Sequence, residues 1–446
     1  FIILLVIIAI IVFIKWREYY YKKLLHTDTL TQIPNKQYFM KTAEKILDNN
    51  SDKSYLLTSL DARNFKLINE RFGHIVGDQT LMNIAKNIKS KFHKNGLYAR
   101  SQGDSFLILV EDTSQNRELL KSLVDLDISI HNTTNYKVPL KIGVCPIPRY
   151  NPALSLSLYI DRANIAKKYT SARNTNYICY FTDDMNKKLN MKNMIESEMV
   201  RALSKSEFVV YYQPKYELAN DTIIGAEALV RWNHKEKGII SPGVFIPVFE
   251  RNGFIVDLDF YVYEQVLKMQ KHRLDMGKKV IPISMNVSRC HLSDTNFVDK
   301  LEAVVAKYKV PKQYIEMEIT ESIFSQEDSS AIALIYNLKE HGFTISMDDF
   351  GSGYSSLNLL RKVPIDTLKI DKVFIDSTED VQRSQVIVEE IINMASKIHV
   401  KTICEGVETQ SQRDFLKNAG CNMVQGYFYS KPLPYEDFSD LLNSSK

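Results

Sequence analysis

The sequence contains little cysteine, and no two of its five cysteines have the CxxC spacing. This absence excludes a disulfide framework and a zinc site of the CxxC type, and it predicts reduced thiols in a cytosolic setting. The chain also lacks a strong excess of either charge, because its net charge is only +4 at pH 7. Nucleic-acid binding depends on clustered positive charge, so we expect neither DNA nor RNA as a partner.

Long apolar runs are absent except for one at the N-terminus. Residues 1–14 are apolar throughout, and Lys15, Trp16 and Arg17 follow. This run is shorter than the roughly 20 residues that cross a bilayer. Because the sequence begins with Phe, we interpret the run as the last part of a transmembrane helix, with residues 15–26 as a juxtamembrane linker helix. A buried core helix or the remnant of a signal peptide is the alternative.

The length of the chain predicts more than one domain. At 446 residues, it exceeds the size that one hydrophobic core usually serves, so two globular domains with additional segments are expected. The C-terminal domain is predicted over residues 191–446, and a smaller one precedes it.

The C-terminal part alternates between short apolar runs and helix-like stretches. The runs are FVVYYQP, IIGAEALV, VIPISMNVS, YIEMEITES, FTISMDDFG, IDTLKIDK, VKTICEGVE and NMVQGYF. Apolar residues at three- and four-residue spacing predict helices over 260–272, 297–308, 329–341 and 384–398. Eight strands alternating with helices over about 250 residues predict a TIM-like (β/α)8 barrel, whose strands direct their carboxyl ends into one pocket.

Acidic and amide side chains stand at the ends of these runs. They are Glu227, Asn286, Glu318, Asp348, Asp349, Glu405 and Gln425. Oxygen ligands without histidine or cysteine suit hard divalent cations such as Mg²⁺ or Mn²⁺, which predicts metal-assisted chemistry on phosphate. The alternative is that each carboxylate is solvated or paired with a lysine. That alternative is weak for the whole set, because so many unpaired carboxylates in one barrel mouth repel one another.

The part of the chain before the barrel is predicted to form a compact α/β domain of about 150 residues. A strand ends on Asp61, a helix runs from about Asp78, and LYARSQGDSFLILV predicts a β-hairpin with its turn at Gln102, Gly103 and Asp104. Asp61 and Asp104 can share a cation at the strand ends, and Asn69 and Asp78 can contact a base.

Residues 27–178 resemble a diguanylate cyclase (GGDEF) domain, and residues 179–190 are interpreted as a linker. DTLTQIPN resembles the opening motif of the family, and FKLINERFGHIVGDQTL resembles its guanine-binding segment. The resemblance implies that Asn69 and Asp78 contact guanine and that Asp61 is a metal ligand.

The signature departs from the family, because Gln102, Gly103, Asp104, Ser105 and Phe106 replace Gly-Gly-Asp/Glu-Glu-Phe. A glutamine side chain obstructs the approach of phosphate that the first glycine permits. A serine hydroxyl does not replace a carboxylate on a divalent cation.

Two further motifs of the cyclase family are altered. The Ala-Lys pair that binds phosphate aligns with Thr170 and Ser171, and the Arg-x-x-Asp inhibition motif is replaced by HKNG at residues 93–96. No cyclase activity is therefore expected. Two interpretations stay open: the domain binds GTP through the matching residues and regulates its neighbour, or it is a dimerising and linking module without a ligand.

Residues 191–446 resemble an EAL-type cyclic-di-GMP phosphodiesterase over their whole length. The motifs EALVRW, MNVS, EITES, DDFGSGYSSL, IDTLKIDK, CEGVET and QGYFYSKP occur in the family's order. The resemblance implies that two cations, Mg²⁺ or Mn²⁺, assist hydrolysis of cyclic-di-GMP to linear pGpG. Glu227, Asn286, Glu318 and Asp348 are the implied ligands of one ion, and Asp348, Asp349 and Glu405 are those of the other.

The resemblance also implies roles around the metals. Lys369 would contact the attacking water, with an ion pair to Asp371 as the alternative, and Glu405 is the candidate general base beside the catalytic ligand Glu227. Arg231 suits a bidentate contact with phosphate. Gln425, Glu408 and Asp371 are expected around the substrate or behind the ligands.

Other side chains are expected to have structural roles. Glu321 is expected to fix the loop DFGSGYSS, and Trp232 and Phe245 to pack in the core. His234, His272, His291 and His341 are expected at the surface or in loops.

Three function classes compete: an active hydrolase, a silent receptor for cyclic-di-GMP, and a bifunctional cyclase and phosphodiesterase. The intact metal-ligand set favours the hydrolase, and Gln102 and Ser105 disfavour the bifunctional enzyme. By resemblance, the barrel pairs as a homodimer beside the DDFG loop. The N-terminal run predicts attachment to the bacterial inner membrane, with both domains in the cytoplasm.

Overall fold

The computed structural model describes residues 10–15, 17, 25–130, 134–170, 177–324, 329–351, 356–375 and 381–444. The chain divides into two compact units, Phe1–Met191 and Lys192–Lys446. Residues 10–15 and 17 are helical. Among the described residues, no helix has both the length and the apolar character that a membrane span needs. Most of the predicted transmembrane run and most of the linker helix over 15–26 lie outside the described residues.

The first unit mixes helices and strands, as the sequence predicts. Its helices are α1 (Lys36–Asn49), α2 (Phe65–Phe72), α3 (His74–Phe92), α4 (Ser114–Lys121) and α5 (Leu156–Lys168). Its strands are β1 (Tyr55–Ala62), β2 (Gly96–Gln102), β3 (Ser105–Glu111), β4 (Asp125–Ile130), β5 (Thr134–Ile147) and β6 (Ile178–Tyr180). Helix α6 (Asp183–Ser204) follows and contains the division between the units.

Strand β1 lies in the middle of the first sheet, whose order is β2-β3-β1-β5-β4, with β6 parallel to β5. Alternate side chains of β1 enter two apolar cores, because successive residues of a strand face opposite sides. Leu56 and Leu60 pack with α3 on one face, and Leu57 packs with α1 and α5 on the other. Helices therefore cover both faces of this sheet.

Two details of the first unit differ from the prediction. The helix expected from about Asp78 begins at His74, and α2 precedes it, separated by Gly73 at φ +84°. A glycine adopts this left-handed backbone without the strain that a side chain brings. The predicted hairpin is confirmed: Gln102 is the last residue of β2 and pairs with Ser105, so Gly103 and Asp104 form its turn.

The second unit is a closed barrel in which each of the eight predicted strands is present. Its strands are β7 (Phe208–Glu217), β8 (Thr222–His234), β9 (Gly238–Ile240), β10 (Ile283–Asn286), β11 (Ile315–Thr320), β12 (Thr344–Phe350), β13 (Thr367–Ile370), β14 (Lys401–Cys404) and β15 (Met423–Val424). Its helices are α7 (Pro242–Asn252), α8 (Ile255–Asp275), α9 (Phe297–Tyr308), α10 (Ser329–Glu340), α11 (Ser356–Lys362), α12 (Val381–Lys397), α13 (Gln410–Asn418) and α14 (Tyr435–Ser444). The strands run in the order β10 to β15, then β7 and β8, and pairing of β8 with β10 closes the barrel. The short β9 pairs with the end of β8.

The expectation of strands and helices in strict alternation is wrong for the first barrel strand. Strand β7 is antiparallel to both neighbours, β8 and β15. Only residues 218–221 connect β7 to β8. A parallel crossover needs a dozen or more residues, whereas a connection of this length permits only a hairpin. The carboxyl end of β7 therefore lies at the opposite end of the barrel from those of β8 and β10 to β15.

Two histidines expected at the surface or in loops are buried. His234 and His291 are 3% and 1% exposed, and each contacts a carboxylate, Glu198 and Asp259 respectively. A buried imidazole needs such a polar partner, which one sequence position does not reveal. Trp232 and Phe245 pack in the core as predicted, beside Phe208 and Phe249.

Candidate active site

The centre of the barrel site is Lys369, near the end of β13. Its ammonium nitrogen Nζ lies 2.5 Å from Glu405 Oε1, 3.1 Å from Asp348 Oδ1 and 3.6 Å from Glu227 Oε2, and it also contacts Glu318. Lys369 is 1% exposed. Four carboxylates from four different strands or strand ends thus converge on one buried cation.

The strand register explains this convergence. Asn286 at the end of β10 pairs directly with Glu318 on β11, and Ser284 on β10 pairs with Glu227 on β8. Glu405 and Gln425 come directly after β14 and β15. Since β8 and β10 to β15 place their carboxyl ends at one edge, short strands that end in polar residues build the pocket there.

A break in β12 allows two successive carboxylates at one strand end. The register with β13 shifts between Met347 and Phe350, and Asp349 has a left-handed backbone at φ +55°. In a regular strand, neighbouring side chains point to opposite faces. The irregularity removes that alternation: Asp348 and Asp349 both lie near Lys369, and Asp349 also lies beside Asp371.

Burial raises the pKa of three acidic side chains of the site, Glu227, Asp349 and Glu405. Burial, together with neighbouring carboxylates, raises the pKa of Glu405 to about 8 and that of Asp349 to about 6. Burial also raises the pKa of Glu227, although Lys369 opposes the shift. Glu318 differs: burial would raise its pKa, but the ammonium groups of Lys369 and Lys215 outweigh burial and lower it. One lysine therefore does not compensate the whole cluster.

The donor set fits a divalent cation. Oxygens of Glu227, Glu318 and Glu405 lie within 4.8 Å of one another. Both oxygens of Glu318 are buried, and within the described residues neither makes a hydrogen bond of normal geometry, so the contact with Lys369 is an ion pair. Buried carboxylates whose pKa values are raised, as those of Glu227 and Glu405 are, gain stability from a hard cation that oxygen ligands surround.

Gln425 orients one of these carboxylates. Its side-chain nitrogen donates to Glu227 Oε2 at 2.6 Å and to Gln213 Oε1 at 3.0 Å. Gln213 lies on β7 opposite Glu227 and donates in turn to the carbonyl of Ser430 at 3.2 Å. The sequence interpretation missed Gln213, because it placed every functional group at the carboxyl end of a parallel strand.

A second buried ion pair lies inside the barrel and was also missed. Lys215 on β7 and Glu316 on β11 are 3.3 Å apart, and both are largely buried. Each lies two residues along its strand from a site residue, Gln213 or Glu318, and so shares that residue's face. The two-residue spacing along each strand was the sequence signal for this pair, because it identifies charged residues that face the barrel interior.

Asp371 does not pair with Lys369 in the described residues, so the alternative role of Lys369 is not realised. Its carboxylate accepts from the backbone N–H of Val373 at 2.8 Å and lies beside Asp349. Arg231 is half-buried four residues after Glu227 on β8, and its guanidinium donates to the carbonyl of Val230 at 3.3 Å.

The remaining predicted residues lie at the edge of the site. Glu408 is exposed in the loop before α13, and the side chain of Asn286 is exposed at the end of β10. Glu321 accepts from the backbone N–H of Gly351 at 2.9 Å, as its predicted role in the DFGSGYSS loop requires. Residues 352–355 of that loop lie outside the described residues.

The carboxylates of the first unit have a different environment. Asp61 is paired with Lys167 at 2.6 Å, and the same ammonium donates to Ser59 Oγ at 3.0 Å. Burial and the nearby Asp61 raise the pKa of Asp104. The sequence interpretation named Thr170 and Ser171 where the family binds phosphate, but the Thr170 hydroxyl donates to the Lys167 carbonyl and Ser171 lies outside the described residues. Lys167 is thus the cation beside Asp61.

The predicted guanine contacts lie on α2 and α3. Asn69 is half-buried with its side chain against Gly77, where an added Cβ would stand 1.9 Å from Asn69 Oδ1. Asp78 is exposed. The turn at Gly103 is fixed by Arg100, which donates to the Gly103 carbonyl and pairs with Asp28 at 3.0 Å. The hairpin is therefore held to the DTLTQIPN segment.

Comparison with known proteins matches both parts of the chain. The EAL domain model matches residues 196–432, and the model of the diguanylate cyclase GGDEF domain matches residues 25–174. The bifunctional diguanylate cyclase/cyclic di-GMP phosphodiesterase MucR of Pseudomonas aeruginosa is 29% identical over 92% of this chain and 60% of its own length. The cyclic di-GMP phosphodiesterase NbdA of the same species is 30% identical over 95% of this chain and 54% of its own length. The chain therefore spans little more than half of these curated relatives.

One solved structure supports the fold of the barrel. The PaMucR phosphodiesterase in complex with c-di-GMP is 33% identical, with a TM-score of 0.52, and the match covers 55% of this chain and 99% of that one.

Proposed function

Because the chain belongs to the EAL-domain family and carries a diguanylate cyclase GGDEF domain before its barrel, we propose that the barrel hydrolyses cyclic-di-GMP to linear pGpG with Mg²⁺ or Mn²⁺. The observation that carries the proposal is the buried group of carboxylates around Lys369 at one end of the barrel. Relatives named as cyclic di-GMP phosphodiesterases support the choice of substrate.

Six residues would hold the cations. They are Glu227, Asn286, Glu318, Asp348, Asp349 and Glu405. Bound divalent ions supply a water of lowered pKa and offset the charge of the phosphate oxygens. The raised pKa values of Glu227, Glu405 and Asp349 support this assignment, because a nearby cation favours their ionised forms.

The protein's own groups prepare the site for a phosphodiester. The Gln425 amide fixes one oxygen of Glu227, which leaves the carboxylate in one orientation. Lys369 places a buried positive charge among the carboxylates, where it can hydrogen-bond a water and favour its deprotonation. Glu405 is a quarter exposed, so it reaches the solvent side of the cluster and suits the role of general base. Arg231 would bind a phosphate oxygen.

The GGDEF domain is proposed to be a regulator without cyclase activity. Gln102 and Ser105 replace two signature residues, and Lys167 already neutralises Asp61. Asn69 and Asp78 keep the side chains of a guanine contact, so GTP is the candidate regulatory ligand. Attachment to the bacterial inner membrane and homodimer formation stay predictions from the sequence.

A binding and turnover experiment tests the hydrolase. Glu227→Ala removes a proposed metal ligand and should reduce turnover of cyclic-di-GMP by more than about a hundredfold. Loss of a residue that only supports a metal ligand lowers activity by up to about a hundredfold, and loss of the ligand itself should lower it further. Glu340→Ala, at an exposed carboxylate of α10, is the control and should retain full turnover. Undiminished turnover in Glu227→Ala would contradict the proposal. Binding without turnover in the unaltered chain would favour the receptor instead.

A further inference from the structure

Helix α8 contacts the segment that follows strand β10. This segment, residues 286–291, begins with Asn286, whose side chain is a proposed metal ligand. Three residues make the contacts, and we call them the α8 bracket: Asp259 and Tyr263 of α8, with His291 of the segment. None of them belongs to the carboxylate cluster.

Tyr263 forms one half of the bracket. Its ring is fully buried, and its hydroxyl donates to the backbone carbonyl of Asn286 at 2.8 Å. On the other side of this residue, the N–H of Val287 donates to the Glu318 carbonyl at 2.8 Å. The backbone that carries the Asn286 amide is therefore fixed between α8 and β11.

Asp259 and His291 form the other half. His291 Nε2 donates to Asp259 Oδ2 at 2.9 Å, and the Ser288 N–H donates to the same oxygen at 3.3 Å. The His291 side chain is fully buried and that of Asp259 is 12% exposed, and the imidazole packs against Phe297 with 4.2 Å between the ring centres. Two residues of the segment, Ser288 and His291, thus share one largely buried carboxylate.

We propose that the α8 bracket positions Asn286 for its cation, so that Tyr263, Asp259 and His291 are positioning residues for metal binding. This inference rests on the proposed function, since it assigns a role toward the same metals. The reason is geometric. The Asn286 side chain itself is exposed, and among the described residues no hydrogen bond holds it, so its placement depends on its backbone. Partners behind a metal ligand of this kind typically change metal affinity by about 10- to 100-fold.

The chain offers a matched pair of tyrosines for the test. Tyr263→Phe removes the hydroxyl that donates to Asn286. Tyr261→Phe, two residues earlier on α8, removes a hydroxyl that donates to the carbonyl of Phe208 at 3.0 Å, at the start of β7. Each variant loses one hydrogen bond from a tyrosine to a backbone carbonyl, but only the first lies beside a proposed ligand.

Calorimetric titration of the full chain with Mn²⁺, without substrate, gives the readout. Tyr263→Phe should bind Mn²⁺ at least about tenfold more weakly than the unaltered chain, and Tyr261→Phe should bind it equally well. His291→Ala should weaken Mn²⁺ binding, and His291→Gln should restore it because its amide can still donate to Asp259. Equal affinity in Tyr263→Phe, or an equal loss in Tyr261→Phe, would overturn the positioning role alone. Failure of the unaltered chain to bind Mn²⁺ would overturn the proposed function as well.

Discussion

The two domains of this chain each place carboxylates at strand ends, but they balance the charge differently. In the barrel, four carboxylates surround one buried lysine, and the pKa values of Glu227 and Glu405 are raised. In the GGDEF domain, Asp61 has a lysine of its own, and the signature position that would add a carboxylate is Ser105. The proposed metal site of the barrel rests on this difference: its carboxylates outnumber the lysine they surround, whereas Asp61 of the GGDEF domain is paired with Lys167.

The difference between the two domains should be largest in turnover, when one carboxylate is removed from each. Glu318→Ala removes a fully buried member of the barrel cluster and should lower hydrolysis of cyclic-di-GMP by more than about a hundredfold. Asp61→Ala, the counterpart in the GGDEF domain, should change the rate by less than about twofold, because it leaves the barrel ligands intact. Rates are measured by chromatography of the products. Comparable losses in both variants would remove the distinction between the sites.

The second-largest effect is expected on the stability of the chain when Lys369 or Lys167 is replaced. Lys369→Met leaves buried carboxylates without a counter-charge and should lower the free energy of unfolding of the metal-free chain by about 3–5 kcal/mol. Lys167→Met should cost about 1–2 kcal/mol, since Asp61 is partly exposed and can be solvated.

Denaturant unfolding in EDTA, repeated with Mg²⁺, measures both lysine variants. Mg²⁺ should recover part of the loss in Lys369→Met and none of it in Lys167→Met. Equal losses of unfolding free energy in the two variants would contradict the excess of negative charge in the barrel. So would a Lys369→Met variant whose stability does not increase with Mg²⁺.

Metal binding should also raise the melting temperature through the barrel alone. At a Mn²⁺ concentration near 100 times its dissociation constant, the stabilisation is about 2.7 kcal/mol. Asp348→Asn should abolish most of that gain in a thermal melt, and Asp104→Asn should preserve it. A gain that disappears in Asp104→Asn would place the cation in the GGDEF domain.

The smallest expected effect is that of GTP on the barrel. If GTP regulates the hydrolase, its coupling should lie at the low end for allosteric ligands, about fivefold in rate or affinity. Asn69→Ala should remove this response while basal turnover stays unchanged. A response that persists in Asn69→Ala would exclude the predicted guanine contact.

Much of the barrel was predictable because its signals are local. Each of the eight runs forms a strand, and the helix predicted over 297–308 is found as Phe297–Tyr308. The antiparallel direction of β7 was missed, although the eight residues between FVVYYQP and IIGAEALV are fewer than a parallel crossover needs. Connection length was the available signal for that reversal.

The contacts that a folded chain creates were less predictable. The irregularity that brings Asp348 and Asp349 to one side depends on the register between β12 and β13, which neither strand reveals alone. Lys167 meets Asp61 across 106 positions of sequence. The buried pair of His291 and Asp259 likewise joins elements that are distant in sequence, and the histidine alone does not predict such a partner.

We propose that the barrel hydrolyses cyclic-di-GMP and that the GGDEF domain does not form it from GTP. The most direct measurement incubates the purified chain with Mg²⁺ or Mn²⁺ and either cyclic-di-GMP or GTP, and separates the products by chromatography. We predict linear pGpG from cyclic-di-GMP, abolished by EDTA, and no cyclic-di-GMP from GTP. Tight binding of cyclic-di-GMP without turnover, or formation of cyclic-di-GMP from GTP, would contradict this account.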